Sequence, residues 1–474
     1  MNNPPYDRRE FMKAMGLGVA AWSSYPGLCP VKEKKGEAEK QPNILFLLAD
    51  DLGWADVSYH RPTIRTPNID KLAKGGVELH FHYVQPLCTP TRVSLLTGRY
   101  PSRWGREAIV PTDTQILPLG IETLPSALRK AGYDTCLAGK WHIGSTPEWG
   151  PNKYGFNESY GSLAGGVDPW THQYREGPYS RTWHRNGTFV EEKGHATDLI
   201  AKQTLEWIET QSRPWFIYVP FTAVHIPVDA PKEFKDLYAG KQYFQNPEKN
   251  ESYIRYAACI THMDARIGDM VKTLEQTGQL ENTIIIFSSD NGTFPGTTKQ
   301  EYIGNTPPSL VLGSNSPLRG RKSEAYEGAI RVPAAVSWAG HLEPRKITAP
   351  LHIVDWMPTL TQLAGFKPDQ DLEWDGMDIW PLLTGAVMDP PARTIYIPGP
   401  YNSALRHGDW KLVQSTDGKC ELYNLKEDPY EARDLATEMP ERVTALKRRL
   451  TEAQKNDRKE RPADRIQIKA QDPN

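Results

Sequence analysis

The sequence predicts an α/β fold: a large mixed, mostly parallel β-sheet sandwiched by helices, then a small C-terminal antiparallel sheet with a covering helix. Three observations lead there. Four short apolar runs each stop abruptly at polar residues, helical patterns separate those runs, and the last part of the chain switches to short strands. Residues 43–49 (NILFLLA) are a continuous apolar run, the pattern of a strand buried on both faces, and they end in Asp50-Asp51. Residues 124–131 read as a helix stopped by Gly132, leading into a shorter strand at 135–139 that ends in Lys140-Trp141-His142. Residues 215–220 (WFIYVP) are a third strand with His225 shortly beyond, and residues 283–289 (TIIIFSS) a fourth, ending in Asp290-Asn291-Gly292. Helical stretches at 196–210 and 251–278 complete the alternation, which implies parallel strands with helices on both faces. Ligands of such sheets bind outside the carboxyl ends of the strands. All four strands deliver acidic, basic or imidazole groups to that edge.

From about residue 391 the pattern changes. Residues 394–397, 404–405, 410–413 and 421–425 read as short strands with a His407-Gly408-Asp409 turn, and 441–454 as the covering helix. The expected organisation is a leader and linker at 1–40, a main domain at 41–390 and a small α+β unit at 391–474. In the leader, Arg8-Arg9-Glu10-Phe11-Met12-Lys13 precedes a mildly apolar stretch at 14–22. A basic start followed by a short apolar segment describes a bacterial export signal, and its order resembles the twin-arginine type, whose cargo crosses the membrane folded. The expectation is an exported, periplasmic protein; a frayed amphipathic N-terminus is the alternative. Leu28 is a poor residue before a lipidated Cys29, and residues 32–40 (KEKKGEAEK) are a charged linker.

Composition excludes several classes. Among 474 residues, 56 Lys and Arg face 58 Asp and Glu, a balance unlike the clustered positive charge of a nucleic-acid binder. No apolar run reaches the ~18 residues of a membrane span. The 14 Trp, 21 Tyr and 12 Phe argue against long disorder, leaving a large soluble enzyme as the expected class. The five cysteines (29, 88, 136, 259 and 420) are odd in number and unpaired in spacing, unlike a disulfide framework or a zinc knuckle.

One of them sits in a distinctive motif, Cys88-Thr89-Pro90-Thr91-Arg92 followed by Val93-Ser94-Leu95-Leu96-Thr97-Gly98-Arg99. Thr89 as N-cap and Pro90 at the first helical position would put Cys88 at a helix N-terminus, where free N–H groups and the dipole favour an anion, with Arg92 in the first turn. On local geometry alone, a buried cysteine before an ordinary capped helix is an equal reading.

The Cys-x-Pro-x-Arg and Leu-Leu-Thr-Gly-Arg pattern resembles the signature of the type I sulfatases, in the alkaline-phosphatase-like superfamily. The resemblance covers about residues 41–430. Leu48-Ala49-Asp50-Asp51-Leu52-Gly53-Trp54, Gly139-Lys140-Trp141-His142, Ser289-Asp290-Asn291-Gly292 and Gly320-Arg321-Lys322 match family blocks in the family's order. Leu422-Tyr423-Asn424-Leu425, Asp428-Pro429 and Glu431 are similar to its C-terminal block. Two departures stand out: Thr91 replaces the usual serine, and Asp434 stands where asparagine is common.

The resemblance implies that Cys88 is converted by a maturation enzyme to formylglycine (3-oxoalanine), whose hydrate attacks sulfur and carries the sulfate transiently. It implies Ca²⁺ held by Asp50, Asp51, residue 88, Asp290 and Asn291. These hard oxygen ligands also admit Mg²⁺ and disfavour zinc, and carboxylates so crowded repel without a cation. Lys140 and Lys322 are matched to gripping sulfate oxygens, and Arg92 to holding residue 88 and the carboxylates. His225 is matched to protonating the leaving alcohol, and His142 to taking the proton that lets sulfate depart.

The blocks Gln85-Pro86-Leu87-Cys88-Thr89-Pro90 and Pro317-Leu318-Arg319-Gly320-Arg321-Lys322 are most similar to the N-acetylgalactosamine-4-sulfatase (arylsulfatase B) subfamily, which implies a sulfated saccharide of glycosaminoglycan or algal galactan type. Trp104, Trp149, Trp170, His172 and Trp183 fall in or near loops after strand ends, as faces for a pyranose or as ordinary packing. Arg103, Arg319 and Arg321 are candidates for further anionic groups. Two alternatives stay open: a phosphatase or phosphonate monoester hydrolase of the same superfamily, and a non-catalytic sugar-binding relative.

Overall fold

The computed structural model describes residues 41–297, 302–304, 306–307 and 310–460; the export-signal reading and its linker lie outside them. Ten strands form the main sheet, in the order Arg345–Ile347, Val77–Leu79, Ala334–Ser337, Thr283–Ser289, Asn43–Ala49, Trp215–Pro220, Asp134–Lys140, Glu158–Ser162, Trp183–Arg185 and Thr188–Phe189. The four strands read from sequence lie side by side at its centre and run parallel, as does Glu158–Ser162. Ala334–Ser337 and Trp183–Arg185 run antiparallel to their neighbours, which makes the sheet mixed.

Alternation along the central strand builds both cores. Ile44, Phe46 and Leu48 pack with Leu95, Leu96, Leu128 and Leu360 on one face. Leu45, Leu47 and Ala49 pack on the other against Ile200 and Ile208 of helix Ala196–Glu209 and Met263 and Ile267 of helix Pro247–Gln276. Burial on both faces explains the unbroken apolar run. Among the described residues no helix is long and apolar enough to cross a membrane.

The C-terminal strands Thr394–Ile397, Asn402–His407, Trp410–Ser415 and Cys420–Asn424 form an antiparallel sheet in sequence order, and helix Pro440–Gln454 packs on it through Leu446 and Leu450. Its other face packs on Tyr83, Ala329 and Ile330. The two parts also share a buried charge cluster. Lys411 Nζ lies 2.9 Å from Glu327 and 2.7 Å from Glu431, all three inaccessible to solvent. Lys411→Met should therefore strand two buried carboxylates and cost about 3–5 kcal/mol. An unchanged denaturant midpoint would show that the cluster does not hold the sheet in place.

Candidate active site

The carboxyl ends of the central strands converge on one point. The backbone N–H of Asp290 donates to the Ala49 carbonyl at 3.0 Å, and that of Asp50 to Ala223 at 2.9 Å, so adjacent strands fix each other's last residues. Asp51 then turns the chain with a left-handed φ of 62°, which sets two consecutive carboxylates into the site. Its N–H donates to Asp290 Oδ1 at 3.1 Å, and Asn291 Nδ2 donates to Asp51 Oδ1 at 2.6 Å.

Helix Cys88–Thr97 is buried along its whole length and enters beneath this point. It starts at Cys88, so Leu87 and not Thr89 is the N-cap. Thr89 donates its hydroxyl to the His142 carbonyl at 3.0 Å, and the cap position has no side-chain bond, so no side chain caps the first-turn N–H groups. Thr91 Oγ1 donates to the Asp290 carbonyl at 2.6 Å and accepts from Gln85 N–H at 3.0 Å; the hydroxyl shared with serine is what this position uses. Asp434 likewise uses only its oxygen, accepting from the N–H groups of Leu422 and Ala436.

Arg92 is fully buried, donating to Asp290 Oδ2 at 2.8 Å and to the Lys140 carbonyl at 2.7 Å, with Asp50 Oδ2 at 3.6 Å. Lys140 Nζ pairs with Asp50, and Lys322 Nζ with Asp51 at 2.7 Å. Burial pushes the Asp50 and Asp290 carboxyls up, Asp290 to about 6. Asp51 feels the same burial, but Lys322 above all, with His225, holds it well below the usual carboxylate range. The Cys88 thiol is pushed up by burial against the pull of Lys140 and Lys322, so an unmodified thiol here stays neutral and is a poor nucleophile.

A divalent cation fits this place. One ligand atom each from Asp50, Cys88 and Asp290 lies within 4.8 Å of the others, and the buried atoms Asp50 Oδ1 and Asn291 Oδ1 have no hydrogen-bond partner in the protein. Unsatisfied buried oxygens among several carboxylates are the donor set of a hard cation.

The two histidines are held differently in this charged site. His225 Nδ1 donates to the Ile226 carbonyl at 2.7 Å, leaving Nε2 turned to Asp51 Oδ2 at 3.9 Å. Its imidazole is pushed down to about 3 by burial and by Lys140 and Lys322. His142 adopts a φ of 60°, and burial, Lys140 and Arg92 hold it well below the usual imidazole range.

A family model described as Sulfatase matches residues 42–366. The chain belongs to the sulfatase family. This sulfatase is 32% identical to arylsulfatase J of Mus musculus, over 88% of this chain and 76% of that one. It is 34% identical to N-acetylgalactosamine-6-sulfatase of Rattus norvegicus, over 75% and 68%. Among solved structures, the crystal structure of Ps i-CgsB in complex with k-i-k-neocarrahexaose superposes with a TM-score of 0.78 at 28% identity, covering 89% of this chain and 94% of that one. The protein is a sulfuric ester hydrolase with the alkaline-phosphatase-like fold.

The residues read as saccharide contacts separate into two groups. Three are committed elsewhere in the sulfatase. Arg103 is 3% exposed and bound by Asp375 and Asp457, and it donates to the Ala453 carbonyl of the last helix. Trp104 is a core residue, its Nε1 donating to Thr97. Arg319 lies over the Tyr326 ring and binds Tyr423 and the Glu431 carbonyl, joining the C-terminal sheet to the main one. His172 is buried, stacked on Trp183 with Nε2 against the Gly194 carbonyl, so it supports a wall and does not offer a face. Trp149 is likewise buried. Trp170 is 41% exposed at the rim of a cavity of about 410 Å³ that Trp183 also lines, and Arg321 is exposed beside the Phe294 ring.

Sequence reading missed the pair that makes room for the histidines. A Cβ on Gly165 would fall 2.3 Å from His142 Nε2, and one on Gly166 would fall 2.7 Å from Tyr302 Oη and 3.1 Å from His225 Nδ1. The Gly-Gly pair itself, just after a strand, was the available signal. Gly165→Ala should displace the His142 ring and lower turnover by about 10²-fold, the usual effect of a misplacement of about 1 Å. Unchanged kcat in that variant would show that the ring has room to move.

Proposed function

We propose that this sulfatase removes sulfate from a sulfated carbohydrate of glycosaminoglycan or algal galactan type, using formylglycine at position 88 and a Ca²⁺ held by Asp50, Asp51, Asp290 and Asn291. The observation that carries the reading is Cys88 at the start of a buried helix, under the charges of both Lys140 and Lys322 and among carboxylates with orphaned oxygens. When bound, the cation polarises a sulfate oxygen. The chain's own residues then have separate tasks. Lys140 and Lys322 hold the remaining oxygens, lowering the repulsion that an anionic ester presents to a nucleophile. Arg92 fixes the carboxylates and the strand end that carries Lys140. His225 Nε2 gives a proton to the departing alcohol, and His142 takes one from residue 88 so that sulfate leaves. The names of the galactosaminyl relative and of the carrahexaose-bound structure support a sulfated galactose-type sugar. Export through the twin-arginine-like leader to the periplasm, and conversion of Cys88 by a formylglycine-generating enzyme, belong to the same reading.

Two measurements test it together. Mass spectrometry of the peptide spanning residue 88 should find formylglycine or its hydrate, and active enzyme carrying only cysteine would sink the mechanism. Free sulfate and free phosphate, followed side by side on matched esters, should show release of sulfate; dominant phosphate release would make the enzyme a phosphomonoesterase instead.

A further inference from the structure

On the His225 side of the site stands a small aromatic wall. Tyr174 and Tyr302 pack together with Ala164, their ring centroids 5.6 Å apart. The Tyr302 ring lies 6.3 Å from that of His225, and Gly166 is in close reach of both. Arg175 is exposed and laid across this wall, its guanidinium carbon 5.4 Å from the centroid of Tyr174 and 5.3 Å from that of Tyr302. Its backbone bridges to that of Tyr302, and the Ile303 N–H donates to the Tyr174 carbonyl at 3.0 Å, so the two segments are tied. Closeness to the reacting centre has independent support. Asp113, whose carboxyl is pushed up by burial, has both Arg175 and Lys140 as neighbouring charges and accepts from Ser145 Oγ at 2.6 Å.

We propose that Arg175 binds a second anionic group of the substrate, a further sulfate or a carboxylate, and so selects multiply charged saccharides over singly sulfated ones. The inference rests on the proposed role of His225, because a group beside the leaving-group acid faces the sugar and not the sulfate being removed. A guanidinium packed against two rings and hydrogen-bonded to Tyr302 loses less freedom on binding than a free side chain, and the other donors of its fork match a sulfate or carboxylate. Arg103 and Arg319 cannot take this role, since both are engaged with the C-terminal part.

The test uses the full, matured enzyme and three disaccharides: one singly sulfated, its analogue with a second sulfate, and its analogue with a carboxylate. The parent should prefer the doubly charged sugars through a lower KM. Arg175→Ala should reduce that preference by about 10- to 100-fold, and Arg175→Lys should restore part of it. The ratio of kcat/KM between sugars is the readout, so any general loss of activity cancels. A loss confined to the second sulfate or to the carboxylate identifies which anion Arg175 takes. A parent without preference, or an Arg175→Ala enzyme that keeps it, overturns the inference while leaving sulfate release intact. A parent that cleaves an aryl sulfate but no sulfated sugar overturns the carbohydrate reading, and this inference with it.

Discussion

Replacing Asp290 with Asn should lower sulfate release by about 10³-fold or more. A cation that polarises the ester supplies several kcal/mol of transition-state stabilisation, and every ~1.4 kcal/mol is a tenfold change in rate. Asn keeps the shape and an acceptor for the Asp51 N–H, but turns an amide N–H₂ toward Arg92, so the charge and the Arg92 bond are lost together. The same site gives a readout that does not depend on turnover. Burial raises Asp50 and Asp290, so in the free protein these carboxyls resist ionising, and a divalent cation relieves them. Added Ca²⁺ should raise the Tm of chelator-treated enzyme, by about 2.7 kcal/mol of stability at a hundredfold excess over Kd. The Asp290→Asn enzyme should show little of that shift. Mg²⁺ run in parallel decides between the two ions, since six to eight flexible oxygens suit Ca²⁺ better. Full activity in metal-free buffer, with a Tm that ignores both ions, would remove the cation from the mechanism.

The centre of the fold was legible because burial on both faces writes itself as unbroken apolar runs. Residues 43–49, 215–220 and 283–289 match the observed strands end to end. The strands flanking that centre were not legible. Glu158–Ser162 is polar and glycine-containing, and Ala334–Ser337 is four residues long; both exist because a neighbour's register recruits them. The polar groups brought together by the strand ends were readable as a set, since the sheet's topology sends each strand end to one edge. The saccharide contacts were not, because side-chain partners far away in sequence decide them. Arg103 looks like a free loop cation until Asp375 and Asp457, 272 and 354 residues further on, are folded against it. Arg175 had no motif at all, and only the aromatic pair beneath it, one member from a distant segment, gives it a place.

The division of labour between the histidines predicts a split that neither substrate alone reveals. A sugar alcohol is a poor leaving group that needs its proton in the transition state, whereas a nitrophenolate leaves without help. His225→Ala should therefore slow a sugar sulfate by about 10²–10⁴-fold, the usual contribution of a positioned acid, and an aryl sulfate far less. His225 is neutral in the free enzyme, because burial, Lys140 and Lys322 all depress it. An anionic ester seated against those lysines offsets their charge, which lets the imidazole carry a proton when the alcohol departs. His142→Ala should behave differently, slowing both substrates alike, because its task follows departure of the alcohol. Sulfate retained on residue 88, seen by intact mass after quenching, is the expected mark of that variant. If His225→Ala slows both substrates equally, the leaving-group role passes to Lys322, whose ammonium lies on the same carboxylate, Asp51, that His225 Nε2 faces.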